Sequence, residues 1–304
     1  MPSIKYFQVA GKVLEANVTS IMQRQNRTRK NVCDQVVSYL QTNSAQWTSG
    51  QQPSINYLDP LCRIAYLYGI VPANANLIQH VFEVEQELAD FILARQTANG
   101  QVGVCAFGGG PGNELLGMVK WIETKQFDQQ IVLEFLLLDR VREWIDSWQA
   151  IQRQVLSHFR TSYGTNRAKW PLVISGSFSS VDITDTSSFA NLGNLFGQDI
   201  YILSYVVSEI FDQAVQLREF AAEMAKHAPR GSKFVFIDRN EERWKDEVRT
   251  LASEMHIDLA DFRAELGTMD PYTEDKIDLG QIFADVGRNP RVSWNAFWVV
   301  GTKP

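Results

Sequence analysis

The spacing of apolar residues changes near residue 101. Downstream of that point short apolar runs alternate with segments of helical period. Val102–Phe107 reads as a strand, followed by a helix from Asn113 through Leu115, Leu116, Val119 and Trp121. Residues 131–138 form a second apolar run, long enough for a strand buried on both faces, and the run stops at Asp139. Val141, Trp144, Ile145, Trp148, Ile151, Val155 and Phe159 then fall at helical spacing before a third strand over 172–178. Residues 199–205 read as a fourth strand, backed by a helix through Phe211, Val215, Leu217, Phe220 and Met224. The turn Pro229-Arg230-Gly231 opens a fifth strand over 233–238, and a helix over 244–255 follows. A weaker strand near 261–266 and a final strand over 294–301 close the chain. This alternation predicts an α/β fold with a mostly parallel sheet, helices on both faces, and ligands at the carboxyl ends of the central strands.

Upstream, helical spacing alone is visible. Val32, Val36, Val37 and Leu40 share one face, with Trp47 closing the segment, and Gln51-Gln52-Pro53-Ser54 reads as a linker. Asp59 is placed as an N-cap with Pro60 at the first helical position, and that helix carries Leu61, Ile64, Ala65, Leu67 and Tyr68 to Gly69. A further helical stretch begins at Val71 and runs through Val81, Phe82, Val84, Leu88, Phe91 and Ile92 to 97–100. Two regions result: a helical one over 1–100 and a sheet-based one over 101–304.

With 304 residues, 45% of them hydrophobic and 21% charged, the chain has material for one large core with a helical appendage. A net charge of −6 argues against a surface given over to nucleic acid. Arg24, Arg27, Arg29 and Lys30 form the one basic cluster ahead of residue 100, and read as a solvated helix face. Cys33, Cys62 and Cys105 have neither disulfide nor metal-knuckle spacing, so no metal is expected. The sequence shows no targeting segment and no apolar run of membrane length, which predicts a cytoplasmic protein without membrane contact, the nucleus remaining open.

The chemistry concentrates where the first strand meets its helix. Gly108, Gly109, Gly110 and Gly112 fall within five positions, and glycine allows both positive φ and close approach of a ligand to the backbone. The exposed amides of the following helix attract acceptor atoms. Dinucleotide-binding spacing counted from Gly108 finds Gly110 in place but Asn113 where a third glycine belongs. Read as Gly-x-Gly-x-Gly, the positions Gly108, Gly110 and Gly112 all fit.

With this spacing the chain resembles the class I S-adenosylmethionine-dependent methyltransferases over roughly 102–303. The resemblance implies a Rossmann-like, mostly parallel seven-stranded sheet, with residues 294–301 as its antiparallel strand, and S-adenosyl-L-methionine as cofactor. It implies that Asp139, followed by Arg140, binds the cofactor's ribose hydroxyls, since a carboxylate accepts two hydrogen bonds from a vicinal diol. It assigns Asp182 to the adenine amino group and the amide of Ile183 to the ring. Ser204 and Tyr205 become the candidates beside the transferred methyl. Other roles stay open: Asp139 as a cap of the next helix, and Asp182 or Asp185 as a loop cap.

Ala106 departs from the family, which usually carries Asp or Glu there. The Asn/Asp-Pro-Pro-Tyr motif of adenine and glutamine amide methylation is absent after the fourth strand, which counts against those substrates. His80, Tyr205, Glu209 and Asp238 are unranked candidates for a general base, and Tyr57, Tyr66 and Tyr68, within reach of a binding site, read as packing residues first. The expectation is a methyltransferase whose N-terminal helices form a lid or part of the acceptor site. Its acceptor is unidentified, a small molecule or protein being favoured over RNA. A noncatalytic methyltransferase-like module and a nicotinamide-dependent oxidoreductase are the competing readings.

Overall fold

Val102–Phe107 (β1) is apolar and fully buried, and its alternate side chains serve two cores: Val102, Val104 and Ala106 pack on one face of the sheet, Cys105 and Phe107 on the other. The computed structural model describes residues 3–48, 55–191 and 197–304. The linker expected over 51–54 lies outside the described residues, as does the side chain of Trp47.

The other strands are β2 (Ile131–Asp139), β3 (Leu172–Ser180), β4 (Ile200–Ser204), β5 (Lys233–Arg239), β6 (Asp258–Leu259), β7 (Arg263–Thr268) and β8 (Ser293–Thr302). They pair in the order β3-β2-β1-β4-β5-β8-β6, with β7 also on β8. The β1–β5 pairs are parallel, whereas β8 runs antiparallel to β5, β6 and β7. Leu259 sits opposite Gly301 and Arg263 opposite Trp298, so β6 and β7 follow one another along the same edge of β8. Three residues there oppose two, which makes a bulge. The sheet therefore has seven positions, the last held by an interrupted strand, in agreement with the expected sheet.

Helices α1 (Tyr6–Gln25), α2 (Arg29–Thr48), α3 (Pro60–Gly69), α4 (Val71–Val84) and α5 (Gln86–Asn99) precede β1. They share a continuous apolar core with α6 (Asn113–Lys125), α7 (Ile145–Tyr163) and one face of the sheet. The short α8 (Val206–Glu209), α9 (Ala214–His227) and α10 (Glu242–Glu254) cover the other face. Asp59 caps α3 as expected, its Oδ1 accepting the Leu61 amide at 2.8 Å. Sequence spacing gives no sign of α1, although Tyr6, Phe7, Val9, Ala10, Val13, Leu14, Val18 and Ile21 are all buried along it. Near its start the helix is apolar almost all round, which blurs a one-sided pattern. Gly117 lets α6 lie against α4: a Cβ there would come within 2.6 Å of Ile78 Cβ.

Between β7 and β8 the chain leaves the sheet, forms α11 (Gln281–Val286), and returns across the N-terminal helices. Glu274 accepts the amides of Tyr6 and Phe7 at the start of α1, where a helix dipole favours negative charge, and pairs with buried Lys120. Arg29 joins Glu15 of α1 to Asp285 of α11, while Lys30 pairs with Asp34. Part of the expected solvated basic face is thus an inter-helix ion-pair link. All three cysteines are buried free thiols. No described helix is long and apolar enough to cross a membrane.

Candidate functional site

The carboxyl ends of β1, β2, β3 and β4 meet at one cleft, as parallel topology requires. After Phe107 the chain turns through Gly108 and Gly110 with φ of +58° and +50°, then Gly112 with φ of +100°. Gly110 borders the cleft, and a Cβ there would lie 3.6 Å from Trp144. Gly112 serves packing instead. A Cβ on it would come within 2.6 Å of the Trp148 ring, so its bareness lets α6 start directly above α7.

Asp139 ends β2 and lies 8% exposed. Its Oδ2 accepts the Gly110 amide at 2.9 Å and its Oδ1 the Val141 amide at 2.8 Å. Burial lifts this carboxyl to about 6, against the pull of those two amides. A carboxylate offers about four lone-pair sites, so two remain for a ligand diol. The cap role and the binding role are therefore compatible in one side chain. Asp182 likewise accepts the Thr184 amide (2.9 Å) and hydroxyl (2.6 Å), and Asp185 accepts the Ser187 amide, so both close their loop while Asp182 also lines the cleft.

The cleft encloses about 850 Å³, counting its mouth. Gly108, Gly110, Asp139, Arg140, Asp182 and Ile183 line it, together with Tyr57, Tyr66 and Trp144. Those three aromatics pack as a wall, centroids 5.5–5.6 Å apart. Tyr57 and Tyr66 thus face the cleft, whereas Tyr68 is packed inside and donates its hydroxyl hydrogen to the Arg288 carbonyl. Gly112 and Ser204 do not line the cleft.

A second cavity, about 1590 Å³ with its mouth, adjoins the first at Tyr66 and Glu209, which line both. Leu40, Ile70 and Asn74 of the N-terminal layer form one side, and Arg239, Arg288 and Arg291 belong to the other. Asn74 is 4% exposed and its Oδ1 has no partner. Tyr205 takes a left-handed conformation (φ 60°, ψ 10°), uncommon for a residue with a Cβ, while its amide bonds the Ile237 carbonyl at 2.8 Å. That places Tyr205 on the second cavity's wall with a buried hydroxyl beside Arg291, its pKa raised by burial and partly restored by that arginine.

The four base candidates separate clearly in space. Glu209 stands where the cavities meet, and burial raises its carboxyl to about 7, with Arg239 opposing the shift. Asp238 is committed to the Ser208 and Arg239 amides, at 2.9 and 2.7 Å. His80 pairs with Glu265 at 2.9 Å beside Trp294 and borders neither cavity. Ala106 is buried in the core; besides Asp139, a second carboxyl beside the turn belongs to Glu114, whose unpartnered Oε2 lies 3.1 Å from where a Gly109 Cβ would be.

Sequence reasoning missed Trp144 as a cleft residue, along with Asn74, Arg239, Arg288 and Arg291. A lone asparagine on an otherwise apolar helix face was the available signal for Asn74. The arginines sit in polar segments with no distinguishing pattern.

Comparison with protein-family models and with curated proteins gives no match. Among solved structures, an S-adenosylmethionine-dependent methyltransferase from Methanosarcina mazei aligns over 69% of this chain and 96% of its own, at 9% identity and a TM-score of 0.40. The N-methyltransferase NodS from Bradyrhizobium japonicum, in complex with S-adenosylhomocysteine, aligns over 76% and 99%, at 11% identity and a TM-score of 0.37. Precorrin-6y C5,15-methyltransferase from Geobacter metallireducens aligns over 73% and 90%, at 8% identity and a TM-score of 0.38. Likenesses this distant transfer no residue roles. The sheet itself, with β8 antiparallel between β5 and the β6–β7 edge and a glycine turn after β1, gives this chain a Rossmann-like α/β fold.

Proposed function

We propose that the protein is an S-adenosylmethionine-dependent methyltransferase. The observation that carries this reading is the convergence of Gly110, Asp139, Asp182 and Ile183, from three successive strand ends, on one cleft. The donor set suits an adenosine cofactor. Asp139 has lone pairs left for a ribose diol, Val141, Val181 and Ile183 offer an apolar slot for a base, and Asp182 accepts from an exocyclic amine. Gly108 and Gly110 keep side chains off the cleft wall.

When bound, the cofactor supplies a methyl group already activated by its sulfonium charge. What the chain must add is alignment, which can lower a barrier by about 7 kcal/mol or more. The Tyr57–Tyr66–Trp144 wall restricts where a ligand can lie and excludes water. Glu209, held near neutrality at the junction, takes up a proton where an acceptor must lose one. The second cavity is the acceptor site in this reading, and the N-terminal helices supply one of its walls.

Titration calorimetry with S-adenosylhomocysteine tests the assignment. Binding to wild type that is lost in Asp139→Ala supports it. Absence of heat with wild type, equal binding by the variant, or tight NADH binding would overturn it.

A further inference from the structure

The second cavity differs in charge from the protein around it. The chain carries a net charge of −6, yet three arginines and one carboxylate, Glu209, border this cavity. Arg239 ends β5 beside the antiparallel β8, so its backbone is fixed by the sheet. Arg291 is held by its own neighbours: its amide donates to the Gly69 carbonyl at 3.1 Å and its Nε to the Ser293 carbonyl at 2.6 Å. Arg288 is anchored through its carbonyl, which accepts from the Tyr68 hydroxyl. Two links therefore hold the arginine-bearing segment against α3.

Two further polar groups, one on the N-terminal layer and one after β4, line the same cavity. The buried Oδ1 of Asn74 makes no hydrogen bond among the described residues, and the buried Tyr205 hydroxyl lies beside Arg291. An unpaired buried polar atom is unfavourable, and a ligand donor or acceptor removes that cost. Leu40, Ile70, Tyr66 and Pro290 supply apolar surface between the polar ends.

From this arrangement we infer that the acceptor is a small organic anion, a carboxylate or phosphate ester on an apolar or aromatic body. Its anionic group meets Arg239, Arg288 and Arg291, and its remaining polar groups meet Asn74 and Tyr205. Guanidinium groups bind carboxylate and phosphate through paired N–H donors, and in a partly buried cavity that attraction is screened less than at an open surface. Glu209, where the two cavities meet, disfavours a second anionic group at the junction and so sets which end of the molecule faces the cofactor. The inference deepens the methyltransferase reading and rests on it for the word acceptor, although the arginine site stands on its own geometry.

Calorimetry on protein saturated with S-adenosylhomocysteine tests it, with benzoate and phenyl phosphate as anionic probes and benzamide as the neutral isostere. Both anions should bind, at least tenfold more tightly than benzamide. The Arg288→Gln/Arg291→Gln double variant should lose at least tenfold in affinity for the anions while binding S-adenosylhomocysteine as wild type does. Equal binding of benzamide and benzoate, unchanged anion affinity in the double variant, or no heat with either anion overturns the inference. So does labelled methyl appearing only in protein or RNA when the enzyme is given a cell extract. Anion binding by a protein that fails to bind S-adenosylhomocysteine would sink the methyltransferase reading and leave the arginine site standing.

Discussion

Asp139 at the tip of β2 accepts the amide hydrogen of Gly110 at 2.9 Å, tying the second strand's end to the turn that ends the first. The same carboxylate accepts the Val141 amide, so one side chain shapes two walls of the cleft before any ligand arrives. Asp139→Asn keeps one acceptor oxygen but loses the charge. It should fold and bind S-adenosylhomocysteine about 10- to 100-fold more weakly, as expected for one hydrogen bond to a charged group worth about 1.5–3 kcal/mol. Calorimetry beside a thermal melt separates the two effects. Undiminished affinity in a less stable variant would reduce Asp139 to a clamp.

Glu209 leads to a prediction about rate. Burial places its carboxyl at about 7, so as a base it is half ionised near neutrality. Turnover of labelled S-adenosylmethionine should rise with pH through that value and level off above it. Glu209→Gln should flatten this limb and lower kcat by about 10²- to 10⁴-fold, the usual contribution of a positioned base. Its affinity for S-adenosylhomocysteine should change much less. An acceptor that carries no proton at the reacting atom would leave the profile intact in the variant.

The sheet was legible because its strands are apolar runs closed by turn residues, and a strand such as β1, buried on both faces, can be little else. Asp139 stood out as the charge that ends an apolar run, while its binding role came from the family resemblance alone. Two parts of the molecule were not legible. The nearly all-round burial of the early α1 residues erased its period, and residues 269–292, which carry Glu274, Arg288 and Arg291, yielded no predicted element. Their importance arises from where the chain returns, over α1 and α3, and that is a tertiary fact with no local signal. Tyr57 and Tyr66 illustrate the same limit: helical spacing identified them as aromatics worth packing, and only the position of Trp144 turns their faces into a cleft wall.

Glu114 gives a pH dependence of stability. Burial raises its carboxyl from an ordinary value of 4.5 to about 8 in the folded chain. Between those values the unfolded chain has released the proton and the folded chain still holds it. Stability therefore falls as pH rises, by up to about 1.4 kcal/mol per pH unit for this group, and levels off above pH 8. Asp139 and Asp238, both raised to about 6 chiefly by burial, push the same way at lower pH. Denaturant melts from pH 5 to 9 should show the decline. Glu114→Gln, which cannot ionise, should shrink it and be the more stable protein above pH 8. Parallel profiles for the two proteins would mean that Glu114 ionises at an ordinary pH.

The start of α1 is tied to α6 by a buried ion pair, and breaking it should cost more than removing it whole. Glu274 and Lys120 are 4% exposed each, and Glu274 also accepts the amides of Tyr6 and Phe7. Lys120 further lies over the Tyr6 ring, 4.4 Å from its centre. Glu274→Ala leaves a buried ammonium and two helix-end amides without acceptors, and should cost about 3–5 kcal/mol in a denaturant melt. Lys120→Met keeps the stem's volume and leaves the Glu274 carboxylate its two amide donors, Tyr6 and Phe7. It should therefore be the milder change. In the double variant Glu274→Gln/Lys120→Met no charge is left buried, and the amide side chain retains an acceptor for α1. A double-mutant cycle through Glu274→Gln should show the two substitutions together costing at least ~1 kcal/mol less than their separate effects summed. Simple additivity would mean that water reaches the pair and that α1 docks through its apolar face alone.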